Sequence, residues 1–147
     1  MYIISLIRFS RRNYLKNGWY FDCSCLRCRD ATECGTFMTA FNCDKCKGGI
    51  IFPQDSLDHE TEYACQKCQR VVEGPKISAL EYAFNSRLDS TDKNDCSELE
   101  NILGEMLDKR NFLDSHYLVL TAKRYLVYVY GRIKVSYRWE LIHRFSV

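Results

Sequence analysis

In its second half the chain spaces its apolar residues with the period of a helix. Ile77, Leu80, Phe84 and Leu88 form one stripe between Lys76 and Ser90. A polar break, Ser90 to Asp95, separates it from a second stripe of Leu99, Ile102, Leu103, Met106 and Leu107. Ser97 and Glu100 fit an S-x-x-E capping box at the start of that second helix. Gly104 weakens it by about 1 kcal/mol relative to alanine. Asp114 or Ser115 is placed to cap a third helix from about His116 to Tyr130, which Gly131 would end. Tyr117, Leu118, Leu120, Tyr125, Val127 and Tyr128 make this helix apolar over much of its surface, which predicts packing on two sides. After Gly131 the period changes. Val135, Tyr137, Trp139 and Leu141 alternate with polar residues, as in a strand.

The first half carries no such stripe. Met1 to Ile7 reads as a short strand, Arg8 to Arg12 as a basic turn, and Trp19-Tyr20-Phe21 as an aromatic approach to the first cysteines. Residues 23–74 are punctuated by Gly35, Gly48-Gly49, Pro53 and Gly74-Pro75, the marks of a loop-rich module. The pattern divides the chain into 1–22, 23–74, a helical region 76–131 and an atypical tail 132–147. It predicts a mostly α fold of antiparallel helices with a small irregular or β module.

Length bounds the chain at one ordinary domain or two small ones. A chain of this size typically buries ~70% of its unfolded surface, so a core is available to the helices. The stretch from Cys23 to Cys68 has few large aliphatic residues and needs another source of stability. Eight of the nine cysteines fall inside it. Cys43-Asp-Lys-Cys46 and Cys65-Gln-Lys-Cys68 are two CxxC turns, and two such turns complete a tetrahedral zinc site. Lys45, Lys47 and Lys67 offset the excess charge of four thiolates. Structural zinc contributes on the order of 10–16 kcal/mol to folding in small finger peptides. The predicted module is therefore zinc-ribbon-like and self-contained.

The other group, Cys23, Cys25 and Cys28, supplies three sulfurs. Cys34 is the nearest candidate for a fourth ligand, and a remote partner is the other. No carboxylate or histidine beside the cluster serves as a general base, which argues against an open catalytic zinc. The expected complement is two Zn²⁺ ions. Cys96, in a polar linker, reads as a free thiol. His59 reads as a surface residue, and His116 and His143 as structural ones.

Net charge is +2, too mild to predict nucleic acid, although Arg8, Arg11, Arg12, Lys16, Arg27 and Arg29 make the first 30 residues basic. That basic stretch reads as a solvated face. The seven-residue apolar start is far short of the ~20 residues needed to span a membrane, and it lacks the order of a signal peptide. Closely spaced CxC and CxxC pairs without a signal point to thiolate–metal chemistry in a reducing compartment, cytoplasm or nucleus.

The run Arg11-Arg-Asn-Tyr-Leu15, then Trp19-Tyr-Phe-Asp-Cys23-Ser-Cys25-Leu-Arg-Cys28-Arg-Asp-Ala-Thr-Glu33, resembles the post-SET segment of SET-and-MYND (SMYD) proteins. The likeness is strongest to the arthropod SmydA-like branch. Gly35-Thr36, the CxxC…CxxC module and the phrase from His116 to Gly131 extend it over residues 10 to 131. The resemblance implies a post-SET zinc segment, a ribbon-like insert and C-terminal helices of a protein-lysine methyltransferase that uses S-adenosylmethionine. In such proteins the fourth zinc ligand is a cysteine of the SET core, and position 34 is usually apolar. The resemblance also places Phe21 against the cofactor's adenine. Trp19 stands where a lysine-channel tyrosine is usual, and its indole lacks the phenolic oxygen.

No SET core is recognisable in these residues, so the chain alone is expected to be inactive, its partner being that core. Residues 1–22 would then end with the aromatic approach and begin with a remnant of the SET core. A zinc-dependent module that binds protein, through the helices, or nucleic acid is the alternative.

Overall fold

The computed structural model describes residues 7–109 and 112–144, with side chains for 7–108 and 112–132. About half of the chain is helical, and a small antiparallel sheet accompanies the helices. Helix α1 spans Arg8–Trp19 and a single turn, α2, spans Leu26–Arg29. Four short strands come next: β1 Phe41–Asn42, β2 Ile50–Pro53, β3 Tyr63–Cys65 and β4 Val71–Val72. They pair in sequence order, each antiparallel to the next. Helices α3 (Gly74–Ser90), α4 (Cys96–Gly104) and α5 (Tyr117–Arg144) complete the chain.

The sheet and the helices share one core. Phe112 sits at its centre, fully buried, with ring contacts to Phe41 of β1 (4.9 Å), Phe84 of α3 (5.3 Å) and His116 (4.7 Å). Asn42 donates to the Phe112 carbonyl, and the Tyr117 N–H reaches back to the Met38 carbonyl. Ile51, Tyr63 and Cys65 belong to the same cluster as Leu88, Leu99, Ile102, Met106 and Leu118. The cysteine module is therefore not self-contained: its apolar face is closed by the helical region. Tyr130 of α5 bonds Glu100 of α4, while Phe112, ahead of α5, bonds the Met106 carbonyl beyond the end of α4, so α4 and α5 run antiparallel.

Several sequence expectations are corrected here. Arg8 to Arg12 is not a turn but the first part of α1. Arg8, Arg11, Arg12 and Leu15 recur at helical spacing, and this face is satisfied by contacts to the cysteine segments instead of by water. The strand expected at Met1 to Ile7 lies outside the described residues but for Ile7, which precedes α1. The α4 cap is Asp95, not Ser97: its carboxylate accepts the Glu98 N–H at 3.0 Å. Glu98 turns to Arg87 of α3 instead of closing a box. At Gly104 the helix passes into a π turn, Glu105–Lys109.

The third helix begins at Tyr117 and does not stop at Gly131. Its backbone stays helical to Arg144, so the predicted strand at 135–141 is absent. Gly131 is not left-handed. No proline interrupts residues 131–144, and helix extension costs little once nucleated. Among the described residues one face of α5 is covered, by Leu118, Val119, Ala122, Leu126 and Val129. Leu120, Val127, Tyr128 and Tyr130 stay exposed, contrary to the two-sided packing expected.

His116, fully buried, takes the capping role expected of Asp114 or Ser115. Its Nδ1 accepts the Leu118 N–H at 3.3 Å, which leaves Nε2–H to donate to Glu81 at 3.2 Å. Asp114 pairs with Lys123 and Ser115 bonds the Phe37 carbonyl. Burial lowers the His116 pKa, against the opposing pull of Glu81. Its contribution is thus complete above the unfolded value near 6.5 and is lost as pH falls below it. His116→Ala is expected to cost about 2–4 kcal/mol in urea unfolding at neutral pH. Between pH 7 and 5, wild-type stability should fall more steeply than that of His116→Gln; parallel slopes would contradict this tautomer.

Candidate metal centres

The two CxxC turns meet across the sheet. The first joins β1 to β2 and the second joins β3 to β4. Cys43 Sγ lies 3.6 Å from Cys68 Sγ, and Cys46 Sγ 3.6 Å from Cys65 Sγ. All four sulfurs fall within 4.8 Å of one another. A disulfide needs ~2.05 Å, so these are four separate thiols. Tetrahedral zinc with Zn–S of ~2.3 Å places sulfurs ~3.8 Å apart, close to the spacing seen. The donor set fits a structural metal held by Cys43, Cys46, Cys65 and Cys68.

The turns reach this geometry through backbone bonds. The Cys43 N–H donates to the Gly49 carbonyl at 2.8 Å, and the Cys65 N–H to the Arg70 carbonyl at 2.8 Å. Gly48 (φ +70°) and Gln69 (φ +56°) take the left-handed conformation that reverses each turn. Gly49 is needed for a different reason: a Cβ there would lie 2.6 Å from the sulfurs of both Cys46 and Cys65. The Cys68 backbone N–H holds the Cys65 thiol down to about 6, a thiolate at neutral pH. Desolvation and the other sulfurs push Cys46 up to about 12. Lys67 sits on this rim, its ammonium bonded to the Lys47 carbonyl.

The second group forms where α1 ends and α2 begins. Tyr20 adopts a left-handed conformation (φ +50°), and the Tyr20 and Phe21 N–H groups close on the carbonyls of Lys16 and Leu15. The reversed chain returns along α1, where Arg12 holds the Cys23 carbonyl at 3.0 Å. Cys25 caps α2, and Cys28 on its last turn is fully buried. The sulfurs of Cys23, Cys25 and Cys28 lie within 4.8 Å of one another. The Cys28 backbone N–H lowers the Cys25 thiol to about 7, and burial raises that of Cys28.

Cys34 is not brought to this group. It is exposed, in a left-handed turn (φ +62°), with its N–H donated to Asp30 at 2.7 Å. Asp30 organises that turn and Glu33 is buried under it, accepting the Arg8 N–H at 3.0 Å. Cys96 opens α4 half-buried and joins neither sulfur group. His59 is exposed and stacks on Phe9 at 4.1 Å. The side chain of His143 is outside the described set.

Trp19 and Phe21, the residues placed at a cofactor by resemblance, shortly precede the three-sulfur group in sequence. They are 70% and 55% exposed, and Tyr20 between them is 94% exposed. A cleft of about 440 Å³ between α1 and the 57–59 loop is lined by Arg12, Lys16, Asp22, Asp58 and His59 among others, and by neither aromatic.

Sequence reading missed the inward role of the arginines. Arg8 donates to the Asp30 carbonyl at 3.2 Å, Arg12 to the Leu57 carbonyl, and Arg11 to the Cys28 sulfur at 2.6 Å. Their i, i+3, i+4 spacing, read as a helix face, carried that signal.

Two isoforms of a SET domain-containing protein, SmydA-8, of Drosophila melanogaster align with the chain. Isoform A is 26% identical over 117 residues, 78% of this chain and 25% of the relative. Isoform B is 25% identical over 117 residues, 78% of this chain and 26% of the relative. The chain thus spans about a quarter of the length of the curated relatives it matches. No protein-family model matches the sequence.

Overpacking of a tight site costs about 1–3 kcal/mol. Gly49→Ala is therefore expected to weaken metal binding at the four-sulfur site roughly 5- to 150-fold, read by chelator competition. In native mass spectrometry Cys34→Ser should keep the wild-type metal count, and Cys28→Ser should lose one ion.

Proposed function

We propose, from this chain's distant kinship with SMYD-like SET-domain proteins, that it is the zinc-binding and helical part of such a protein. In this reading it supports a SET core and does not itself carry the chemistry. The whole would be an S-adenosylmethionine-dependent protein-lysine methyltransferase or a descendant of one. Cys43, Cys46, Cys65 and Cys68 would hold one Zn²⁺ and staple the sheet. Cys23, Cys25 and Cys28 would hold a second, whose fourth ligand comes from the SET core.

The observation that carries this reading is the three-sulfur group. It has the spacing for a metal, yet no fourth sulfur among the described residues joins it. The exposed aromatics just before it in sequence support the same reading. Trp19, Tyr20 and Phe21 are exposed aromatics that shortly precede its first cysteine in sequence, as expected of a face that another domain covers. In the assembled protein Phe21 would lie against the cofactor's adenine and Trp19 in the wall of the lysine channel. Trp19 offers a donor N–H but no acceptor oxygen for a target amine.

The nucleic-acid alternative draws less support. Its basic stretch depended on free arginines, and Arg8 and Arg11 are buried against Asp30, Glu33 and the cysteine sulfurs. Guanidiniums held inside cannot contact phosphate.

X-ray absorption at the zinc edge tests the incomplete site. The zinc-loaded chain is expected to show four-sulfur shells mixed with shells of three sulfurs and one lighter atom. A uniform four-sulfur environment would mean that this chain supplies its own fourth thiolate, and the reading would lose the observation that carries it.

A further inference from the structure

Arg11 is an unusual arginine. It is only 9% exposed, and its Nε is buried without a hydrogen-bond partner. Among the described residues no carboxylate pairs with it. Its Nη2 donates to Cys28 Sγ at 2.6 Å and approaches Cys25 Sγ at 3.6 Å. A buried guanidinium stays charged, so it needs a compensating anion nearby. The groups placed to supply that charge are the sulfurs of Cys23, Cys25 and Cys28.

The charges close when the metal is counted. In this chain alone a divalent ion with three thiolates carries a net charge of about −1, which one guanidinium offsets; with a fourth thiolate from a SET core the guanidinium would offset half of about −2. The four-sulfur site carries about −2 and solves the problem differently, with Lys45, Lys47 and Lys67 near its solvent edge. The three-sulfur site has its counter-charge built in and held at the Cys25–Cys28 edge.

We propose that Arg11 is a positioning residue of the three-cysteine metal site. Its N–H···S bonds neutralise the thiolates and hold Cys28 and Cys25 in place for the ion, and they couple the docking of α1 to metal loading. This rests on the reading of Cys23, Cys25 and Cys28 as metal ligands. The coupling comes from connectivity. Arg11 lies on α1 and the cysteines lie beyond the reversal at Tyr20. When the ion leaves, nothing holds the three sulfurs to one centre, so the acceptors that fix Arg11 are less firmly placed and α1 loses part of one anchor. Arg12, bonded to the Cys23 and Leu57 carbonyls, is a second anchor that is independent of the metal.

The four-sulfur site is an internal control. In chelator competition with Zn²⁺, Arg11→Gln should lower affinity at the three-cysteine site about 10- to 100-fold, as loss of an outer-shell partner does. It should leave the other site unchanged. Arg11→Lys, which keeps the charge without the planar fork, should fall between. Unchanged affinities at both sites in a folded Arg11→Gln would overturn the proposal.

A measurement on the wild-type chain does not depend on how the variants fold. With ¹⁵N-labelled arginine, one guanidinium signal, absent from Arg11→Lys, should shift and become protected from exchange as the second Cd²⁺ equivalent binds. No arginine signal responding to that equivalent would also overturn it. A wild-type chain that takes up only one equivalent would instead overturn the reading of Cys23, Cys25 and Cys28 as a metal site.

Discussion

Strands of two to four residues cannot keep a sheet together. That limit governs the whole molecule. β1 and β4 are two residues each, and β3 is three. Their backbone bonds are too few, and their apolar area too small, to offset the entropy of ordering the loops between them. The sulfurs of Cys43, Cys46, Cys65 and Cys68 meet at the point where all four strands turn. A metal there would join both turns at once and substitute for the missing strand length. Once β1 is fixed, Phe41 is presented to Phe112, and the rings of Phe84 and His116 close on that pair. The helical core depends in this way on a sheet that depends on its sulfurs.

The other half of the cysteine segment uses charge instead of strands. α1 is polar over most of its surface and buries two arginines. Such a helix does not dock by apolar area. It docks because its guanidiniums find fixed acceptors: the Asp30, Cys23 and Leu57 carbonyls and the sulfurs of Cys28 and Cys25. Charge-assisted bonds are about twice as strong as neutral ones, which suits a short segment with little else to bury. Ser56, bonded to the Arg29 carbonyl at 2.9 Å, ties the same segment to the loop beyond β2.

How far each feature could be read in the sequence depends on how local it is. The CxxC turns are set by spacing alone, so the four-sulfur site was legible, and so was the triad at 23, 25 and 28. The helices at 74–90 and 96–104 were legible because tertiary packing agrees with their apolar period. The failures share a cause. Arg8 to Arg12 reads as solvated because sequence does not show that acceptors 11 to 45 residues away will face it. The His116 cap depends on Glu81, 35 residues earlier. The tail alternates with period two, a pattern a helix also tolerates when no partner strand exists. Cys34 lies close to Cys28 in sequence, but the turn that Asp30 organises keeps it apart.

The contact between Phe41 and Phe112 carries a consequence in time. Its partners are 71 residues apart, counted from their numbers. A chain growing from its N-terminus displays both cysteine groups, with Phe41 and Tyr63 uncovered, long before Phe112 exists. Contacts this far apart form late, because a long loop must close first. The sulfurs can therefore collect metal on a half-made chain, when ions can still reach them freely. The separation thereby sets one order during synthesis: the cysteine segment is complete first, and helical closure comes last.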